Sequence, residues 1–369
     1  MAVTVSHDFS STSLSAIVGS FNTQGTFVSA TPYGTGHIND TFAVTVEQSG
    51  VGIRYILQRI NHDIFKDPVA NMENIRRVTE HLARRMAGQP DLARRVLTLI
   101  PTRVGDVFHR DPHGNVWRMY LLIENAVSLE TATSPAQAFE TGLAFGHFQH
   151  LLTDLPAPRL HVTIPDFHHI PKRFATLIRA IESDPANRAI AAQPEIQFAF
   201  ARQPIADVLL KANLPERITH NDTKFSNVLL DKATGEGLCV IDLDTVMPGL
   251  ALYDFGDMVR TTTSPAAEDE RDLTRVRLEM PMFEALLRGY LSTAGEFLTA
   301  AEKKYLAFSG KLITFVMGIR FLTDYLSGDI YYKVHRPGHN LDRCRTQFRL
   351  IESIEHQEEA MSRLVESLG

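Results

Sequence analysis

The first third of the chain is patterned in twos. Thr26–Thr31, Thr41–Val46, Ile53–Ile60 and Val116–Glu124 are runs rich in β-branched and aromatic residues, and each reads as a strand. A glycine-rich turn, Tyr33–Asp40 (YGTGHIND), separates the first two runs, and Gly50 and Gly52 mark another turn. Two stretches follow a helical period instead. Ser13–Phe21 reads as a short amphipathic helix. From Asp67 onward Met72, Ile75, Val78 and Leu82 recur at helical spacing, with Pro68 suited to the first turn. The order strand, glycine turn, strand, strand, helix, strand predicts a small antiparallel sheet carrying one helix.

After Asn125 the pattern changes. Ala136–Leu152 is helical, Pro156–Pro171 is a loop rich in proline and histidine, and long helical patterns dominate from Glu284, one of them over 303–326. No internal repeat and no low-complexity tract interrupts them. The expected class is therefore α+β and bilobal, with a sheet-bearing lobe over residues 1–127 and a larger, mainly helical lobe over 128–369.

Composition narrows the partners. The 369 residues hold 37 basic and 43 acidic side chains, for a formal net charge of −6, and lack the basic excess of a nucleic-acid binder. Two distant cysteines, Cys239 and Cys344, form neither a disulfide framework nor a CxxC metal site, which predicts a reducing, cytoplasmic setting. The start MAVTVSHDFSS lacks the basic and apolar regions of a signal peptide. No apolar run in the sequence approaches the roughly 18–20 residues of a membrane span. The expected partners are small molecules, with neither nucleic acid nor membrane, on a monomer or weak homo-oligomer.

The densest chemical signal is ITHNDTKFSNVLLD, Ile218–Asp231, a polar loop running into a short apolar strand. Asp222 and Asn227 stand five residues apart. Twenty residues after Asp222, the apolar run Leu238–Ile241 ends in Asp242, with Asp244 just beyond. Phosphoryl transfer asks mainly for positioning and charge neutralisation. A carboxylate takes the proton of the acceptor hydroxyl. A side-chain carbonyl and a second carboxylate offer magnesium the hard oxygens it prefers. The pattern H-x-D-x-x-x-x-N, a hairpin and an Asp supplies these groups. Asp222 thus reads as the base, and Asn227 with Asp242 as the magnesium ligands. Lys224 reads either as a cation for the moving phosphoryl group or as the partner of a nearby acid.

The literal DFG at Asp254–Gly256 lies 32 residues past Asp222, too far for that hairpin. Asp254 and Asp257 are expected to make loop and cap hydrogen bonds instead. The turn holding Gly34, Gly36, His37 and Asn39 reads as a phosphate cover, because glycines let backbone approach phosphate closely. The third strand offers no lysine for the phosphates. Arg59 is the expected cation, with Gln58 as the alternative and Glu73 as the carboxylate partner.

With these residues in hand, the chain resembles the aminoglycoside phosphotransferase and choline kinase superfamily, whose bilobal fold is protein-kinase-like. The segments GTGHIND, YILQRIN, MENIRRVTEHL, HNDTKFSNVLLD, VIDLDTVMPGLALYDFGDMVR and IRFLTDYLSGDIYYK are most similar to the kinases of that superfamily that phosphorylate the anomeric hydroxyl of N-acetylhexosamines. The resemblance implies ATP and Mg2+ as cofactors, adenine beside Tyr120–Asn125 with Glu124, and Arg320 and Tyr331 facing the sugar. Asp324, His168 and Arg173 are implied near the acceptor. The residues themselves leave Arg320 open to another reading, a helical ion pair with Asp324 four positions on. Other acceptors in the superfamily (choline, homoserine, a thiosugar, an aminoglycoside) and a catalytically inactive nucleotide-binding module are the competing functions.

Overall fold

The computed structural model describes residues 9–34 and 38–369. The chain divides into two compact units. One runs to Asn125 and takes in His161–Ile164; the other comprises Ala126–Leu160 and Pro165–Gly369.

The first unit is built on a five-stranded antiparallel sheet in the order β1 (Thr26–Pro32), β2 (Asp40–Gln48), β3 (Val51–Arg59), β5 (Val116–Leu121), β4 (His109–Arg110). The β2–β3 register is set by a two-residue turn. Ser49 and Gly50 both have positive φ, 53° and 81°, which matches the twist of the flanking strands. Alternation then puts Val44, Val46, Tyr55, Leu57, Trp117 and Met119 on one face, packed with Leu14, Ile17 and Val18 of helix α1 (Ser11–Val18). Helix α2 (Pro68–Arg85) starts where the sequence indicates. Asp67 accepts the Ala70 N–H, Pro68 opens the first turn, and Met72, Ile75, Val78 and Leu82 are all buried. The fourth strand stops at Leu121, short of the expected Glu124.

In the second unit β6 (Ala126–Val127), β8 (Val228–Asp231) and β9 (Gly237–Val240) form one small sheet, and β7 (Arg217–Thr219) pairs with β10 (Met247–Gly249). The longer helices are α3 (Pro135–Leu151), α4 (Ile170–Ser183), α5 (Ala251–Thr262), α6 (Met280–Ala294), α7 (Leu306–Leu326) and α8 (His339–Leu368). Their apolar faces make one large core. Helices α5 and α7 approach closely at Gly256, where a Cβ would sit 2.4 Å from the Ser309 carbonyl oxygen.

Three expectations need correction. The helix over 303–326 is interrupted at Tyr305: a capping box at Thr299 and Glu302 starts a separate helix, Ala300–Lys304, before α7. The proline-rich loop ends earlier than Pro171, because Pro171 occupies the first turn of α4. Finally, α7 is long and apolar enough to cross a membrane, contrary to the sequence reading, but 78% of its apolar window is buried in the core.

Candidate active site

The loop after β7 is fixed by its own side chains. His220 is fully buried against Phe145 and Phe148. Its Nε2 donates to the Ile241 carbonyl at 2.9 Å, so Nδ1 is left to accept the Asp222 N–H at 3.3 Å. Asn221 takes a left-handed conformation (φ 66°), which asparagine tolerates. Its side-chain amide donates to the Thr245 and Thr219 carbonyls at 3.0 and 3.2 Å. Neighbouring Gly249 has no room for a side chain, since a Cβ would meet Thr219 Oγ1 at 2.4 Å.

The buried Asp254 carboxylate closes the loop from behind. It accepts the His220 N–H (2.8 Å), the Asn221 N–H (2.7 Å) and the Gln149 amide (2.7 Å), while its own backbone carbonyl accepts from Thr223 Oγ1 at 2.6 Å. Burial pushes the Asp254 carboxyl up to about 6 against the pull of these donors. Asp254 sits in the first turn of α5, not in a loop, and the loop it holds belongs to another part of the chain. Asp257 does not cap anything. Its Oδ1 accepts from Arg260 Nε at 2.8 Å, and Arg260 also donates to Glu268 at 2.8 Å.

This scaffold brings Asp222, Lys224 and Asn227 together. Asn227 Nδ2 donates to the Asp222 backbone carbonyl at 2.8 Å and to its carboxylate at 3.1 Å. Lys224 Nζ stands 3.3 Å from Asp222 Oδ2, with the two side chains 39% and 29% exposed. Burial alone would raise the Asp222 pKa, but Lys224, His220 and Arg260 outweigh it and hold the carboxyl below its ordinary value. Asp222, then Asp242 against burial, push the Lys224 ammonium up. Asp242 lies just past β9 in a left-handed conformation (φ 62°), tied to Asn227 through the Ile241 N–H to Asn227 carbonyl bond of 2.9 Å.

Asn227 and Asp242 suit magnesium in one respect. With Nδ2 committed to Asp222, Oδ1 is the Asn227 atom that can face a cation, and it is a hard oxygen. Among the described residues no cluster of three His, Cys, Asp or Glu forms a metal cage.

A second group of side chains gathers around Arg320 of α7. Its guanidinium lies over the rings of Phe167 (5.0 Å), Tyr332 (5.6 Å) and Tyr331 (5.8 Å), and Nη1 meets Met317 Sδ at 3.3 Å. The ion pair with Asp324, the alternative reading of Arg320, does not form. Arg173 donates Nε to the Phe167 carbonyl at 3.1 Å, and burial followed by the Arg320 charge lowers its pKa. Among the described residues neither arginine is paired with a carboxylate. His168 is buried, with Nε2 3.0 Å from the Asn221 carbonyl, and Nδ1 has no partner. Burial pulls its pKa down to about 3, so the ring is neutral and Nδ1 is an acceptor. The His168 bond to the Asn221 carbonyl places its ring beside the residue that precedes Asp222, and Asp222 contributes to the field at both His168 and Arg320. Phe167 and Tyr332 were not singled out from the sequence; an aromatic within two residues of each predicted contact was the only available signal.

In the first unit the described side chains among the candidate nucleotide contacts each have a partner within the chain. Arg59 shares the core face with Leu57, and its guanidinium is held by Asp40 (2.8 and 2.5 Å) and Asn115 (3.2 Å). Its expected partner Glu73 pairs with His161 at 2.9 Å. Gln58, the alternative, faces the other way. It donates to Thr41 at 3.0 Å and accepts from buried Arg118 at 2.9 Å, and Arg118 reaches Met72 of α2. Glu124 is half-exposed and forked by Arg54. Asn39 Oδ1 accepts the Asn61 N–H at 3.0 Å. Gly34 has a positive φ of 76° that favours glycine; Gly36 and His37 lie outside the described residues.

Comparison with known proteins follows this geometry. The model of the phosphotransferase enzyme family matches residues 29–295. The fold is similar to that of a microcompartment-associated aminopropanol kinase, with 16% identity, a TM-score of 0.59, and 95% of this chain and 98% of that chain covered. It is also similar to an aminoglycoside phosphotransferase from Alicyclobacillus acidocaldarius, at 13% identity and a TM-score of 0.62 over 96% of both chains. A spectinomycin phosphotransferase solved in complex with ADP and spectinomycin matches at 13% identity and a TM-score of 0.57, over 95% of this chain and 99% of that one. At such identities the likeness is one of fold: mixed α+β, an antiparallel sheet followed by a larger helical part.

Proposed function

This chain belongs to the phosphotransferase enzyme family, and from that premise we propose that it is an ATP- and magnesium-dependent kinase that phosphorylates the anomeric hydroxyl of N-acetylhexosamines. The observation that carries this reading is the Asp222 carboxylate, oriented by Asn227 Nδ2 at 3.1 Å and kept ionised beside Lys224 at 3.3 Å. An ionised, oriented carboxylate takes the proton of the acceptor hydroxyl. The acceptor oxygen then forms its bond to the γ-phosphorus as the bond to the β-phosphate oxygen breaks, and ADP leaves. An anomeric hydroxyl is more acidic than an ordinary alcohol, so a base of low pKa is adequate. Lys224 stands ready to neutralise charge on the moving phosphoryl group. Asn227 Oδ1 and Asp242 would hold magnesium, which supplies charge neutralisation on the phosphates. The spectinomycin phosphotransferase of the same fold was solved with ADP, which supports nucleotide use here.

The acceptor reading rests on charge. Among the described residues Arg320 and Arg173 present guanidiniums without carboxylate partners, and His168, bonded to the carbonyl that precedes Asp222, offers a neutral acceptor nitrogen. An N-acetylated sugar matches this set with a carbonyl oxygen for a guanidinium and hydroxyl donors for Nδ1. An ammonium-bearing acceptor meets like charge instead, which disfavours choline and aminoglycosides. Tyr331, 46% exposed beside Arg320, offers a ring to the sugar's C–H face. The test is turnover of a panel of N-acetylhexosamines, free hexosamines, choline and homoserine with ATP and magnesium at neutral pH. Preference for any cationic acceptor over the N-acetylated sugars contradicts the reading.

A further inference from the structure

Asp324 lies four residues past Arg320 on the last turn of α7, and it is 4% exposed. Its carboxylate is spent on backbone. Oδ1 accepts the N–H groups of Ile330 (2.9 Å) and Tyr331 (2.8 Å), and Oδ2 accepts that of Tyr332 (2.9 Å). Asn340, fully buried near the start of α8, donates Nδ2 to Asp324 Oδ2 at 2.8 Å and to Asp329 Oδ1 at 2.9 Å. Arg188 Nη1 closes the other side, on Asp329 at 2.5 Å and the Tyr325 carbonyl at 2.8 Å. Three consecutive amides converging on one carboxylate form an anion nest filled from within the chain.

We infer that Asp324 is a positioning residue for acceptor recognition: by gripping the amides of Ile330, Tyr331 and Tyr332 it fixes both tyrosine rings over Arg320 and leaves that guanidinium without a carboxylate. This rests on the acceptor pocket assigned above. Two consequences separate it from ordinary helix capping. Of the held residues Ile330 and Tyr331 are exposed and only Tyr332 packs against the core, so the grip stabilises a turn at the core's edge whose rings serve Arg320. Tyr332 packs on Phe321 with ring centroids 4.8 Å apart, and Tyr331 on Tyr332 at 4.8 Å, so displacing one amide moves the whole aromatic box. Asp324 is also the nearest acid to Arg320 along the helix. Committing it to backbone keeps the guanidinium's hydrogen-bonding face for a ligand.

The test pairs amide exchange on the free protein with kinetics of Asp324→Asn, using the acceptor that the wild type turns over best. In the variant the Ile330–Tyr332 amides exchange about tenfold faster or more, reporting local opening. KM for the acceptor rises about tenfold, while kcat and the KM for ATP stay within about twofold. A variant that loses thermal stability but keeps the acceptor KM overturns the inference, as does undiminished protection of the three amides. Should Asp324→Asn fail to fold, Asn340→Ala carries the test: it removes one donor to Asp324 and is expected to raise the acceptor KM selectively, and unchanged kinetics there reject the inference. If wild type phosphorylates some other acceptor, the sugar assignment fails while exchange and the KM split still judge Asp324.

Discussion

The side-chain amide of Asn227 reaches back five residues to donate to both the backbone carbonyl (2.8 Å) and the carboxylate (3.1 Å) of Asp222. One group thereby aims the candidate base and leaves its own carbonyl oxygen as the remaining acceptor. The 3-10 turn Phe225–Asn227 brings position 227 back to 222.

Removal of the carboxylate charge tests Asp222 itself. Asp222→Asn keeps the shape and the Asn227 contact to the backbone. We expect kcat to fall about 10²–10⁴-fold, the usual range for a general base, with ATP affinity nearly unchanged. Steady-state rates and calorimetric ATP binding measure the two separately, and wild-type turnover removes Asp222 from the mechanism.

Lys224 is predicted to set the pH at which the base fails. Its ammonium is the largest force holding the Asp222 carboxyl below the ordinary value against burial. In Lys224→Met that support is gone, so the Asp222 pKa rises and the acid limb of the kcat/KM profile moves to higher pH. An acid limb at the wild-type position shows that some other group titrates there.

The catalytic loop shows how far local sequence reaches. Asp222 and Asn227 could be read as a pair because they bond to each other five residues apart, and spacing encodes such a turn; the partner that holds His220, the Ile241 carbonyl, is 21 residues on. The work of Asp254 was half legible. Its distance from Asp222 excluded it as the metal ligand, but the loop it grips is 33 and 34 residues away in sequence, a fact only packing reveals. The alternative reading of Arg320 and Asp324 as an ion pair fails for a physical reason. Their spacing satisfies the helical ion-pair rule, yet the helix ends two residues on, and three free amides in the following turn compete for the carboxylate and win. For Arg59 the strand alternation with Leu57 was visible in the sequence, but its partners Asp40 and Asn115, 19 and 56 residues away, were not.

Disruption of the grip behind the loop should cost stability and rate together. Asp254→Ala strands the His220 and Asn221 N–H groups in the interior. Each unsatisfied buried donor costs about 1–3 kcal/mol, so a loss of several kcal/mol is expected in denaturant unfolding. The same variant is expected to lower kcat, because Asn221 and Asp222 are adjacent. Full stability in Asp254→Ala contradicts the assigned hydrogen bonds.

His168 should leave a pH signature on stability. The native imidazole takes a proton only near pH 3, whereas the unfolded one does so near its ordinary value of 6.5. Between these values the unfolded state binds more protons, so the His168 contribution falls as pH drops from 6.5 toward 3. Asp254 acts oppositely as pH rises from 3.8 through about 6, because its native pKa is raised. Comparing wild type with His168→Gln isolates the first effect. Unfolding midpoints measured at several pH values should show the wild type losing stability in acid more steeply than the variant, and parallel curves contradict a buried neutral ring.

The central claim is tested most directly by phosphorus NMR of the wild-type protein incubated with ATP, magnesium and N-acetylglucosamine or N-acetylgalactosamine. The account predicts a new phosphomonoester resonance split by coupling to the anomeric proton, rising as ADP appears and absent from Asp222→Asn. A phosphoester at any other sugar position, or product only with an amine-bearing acceptor, contradicts it.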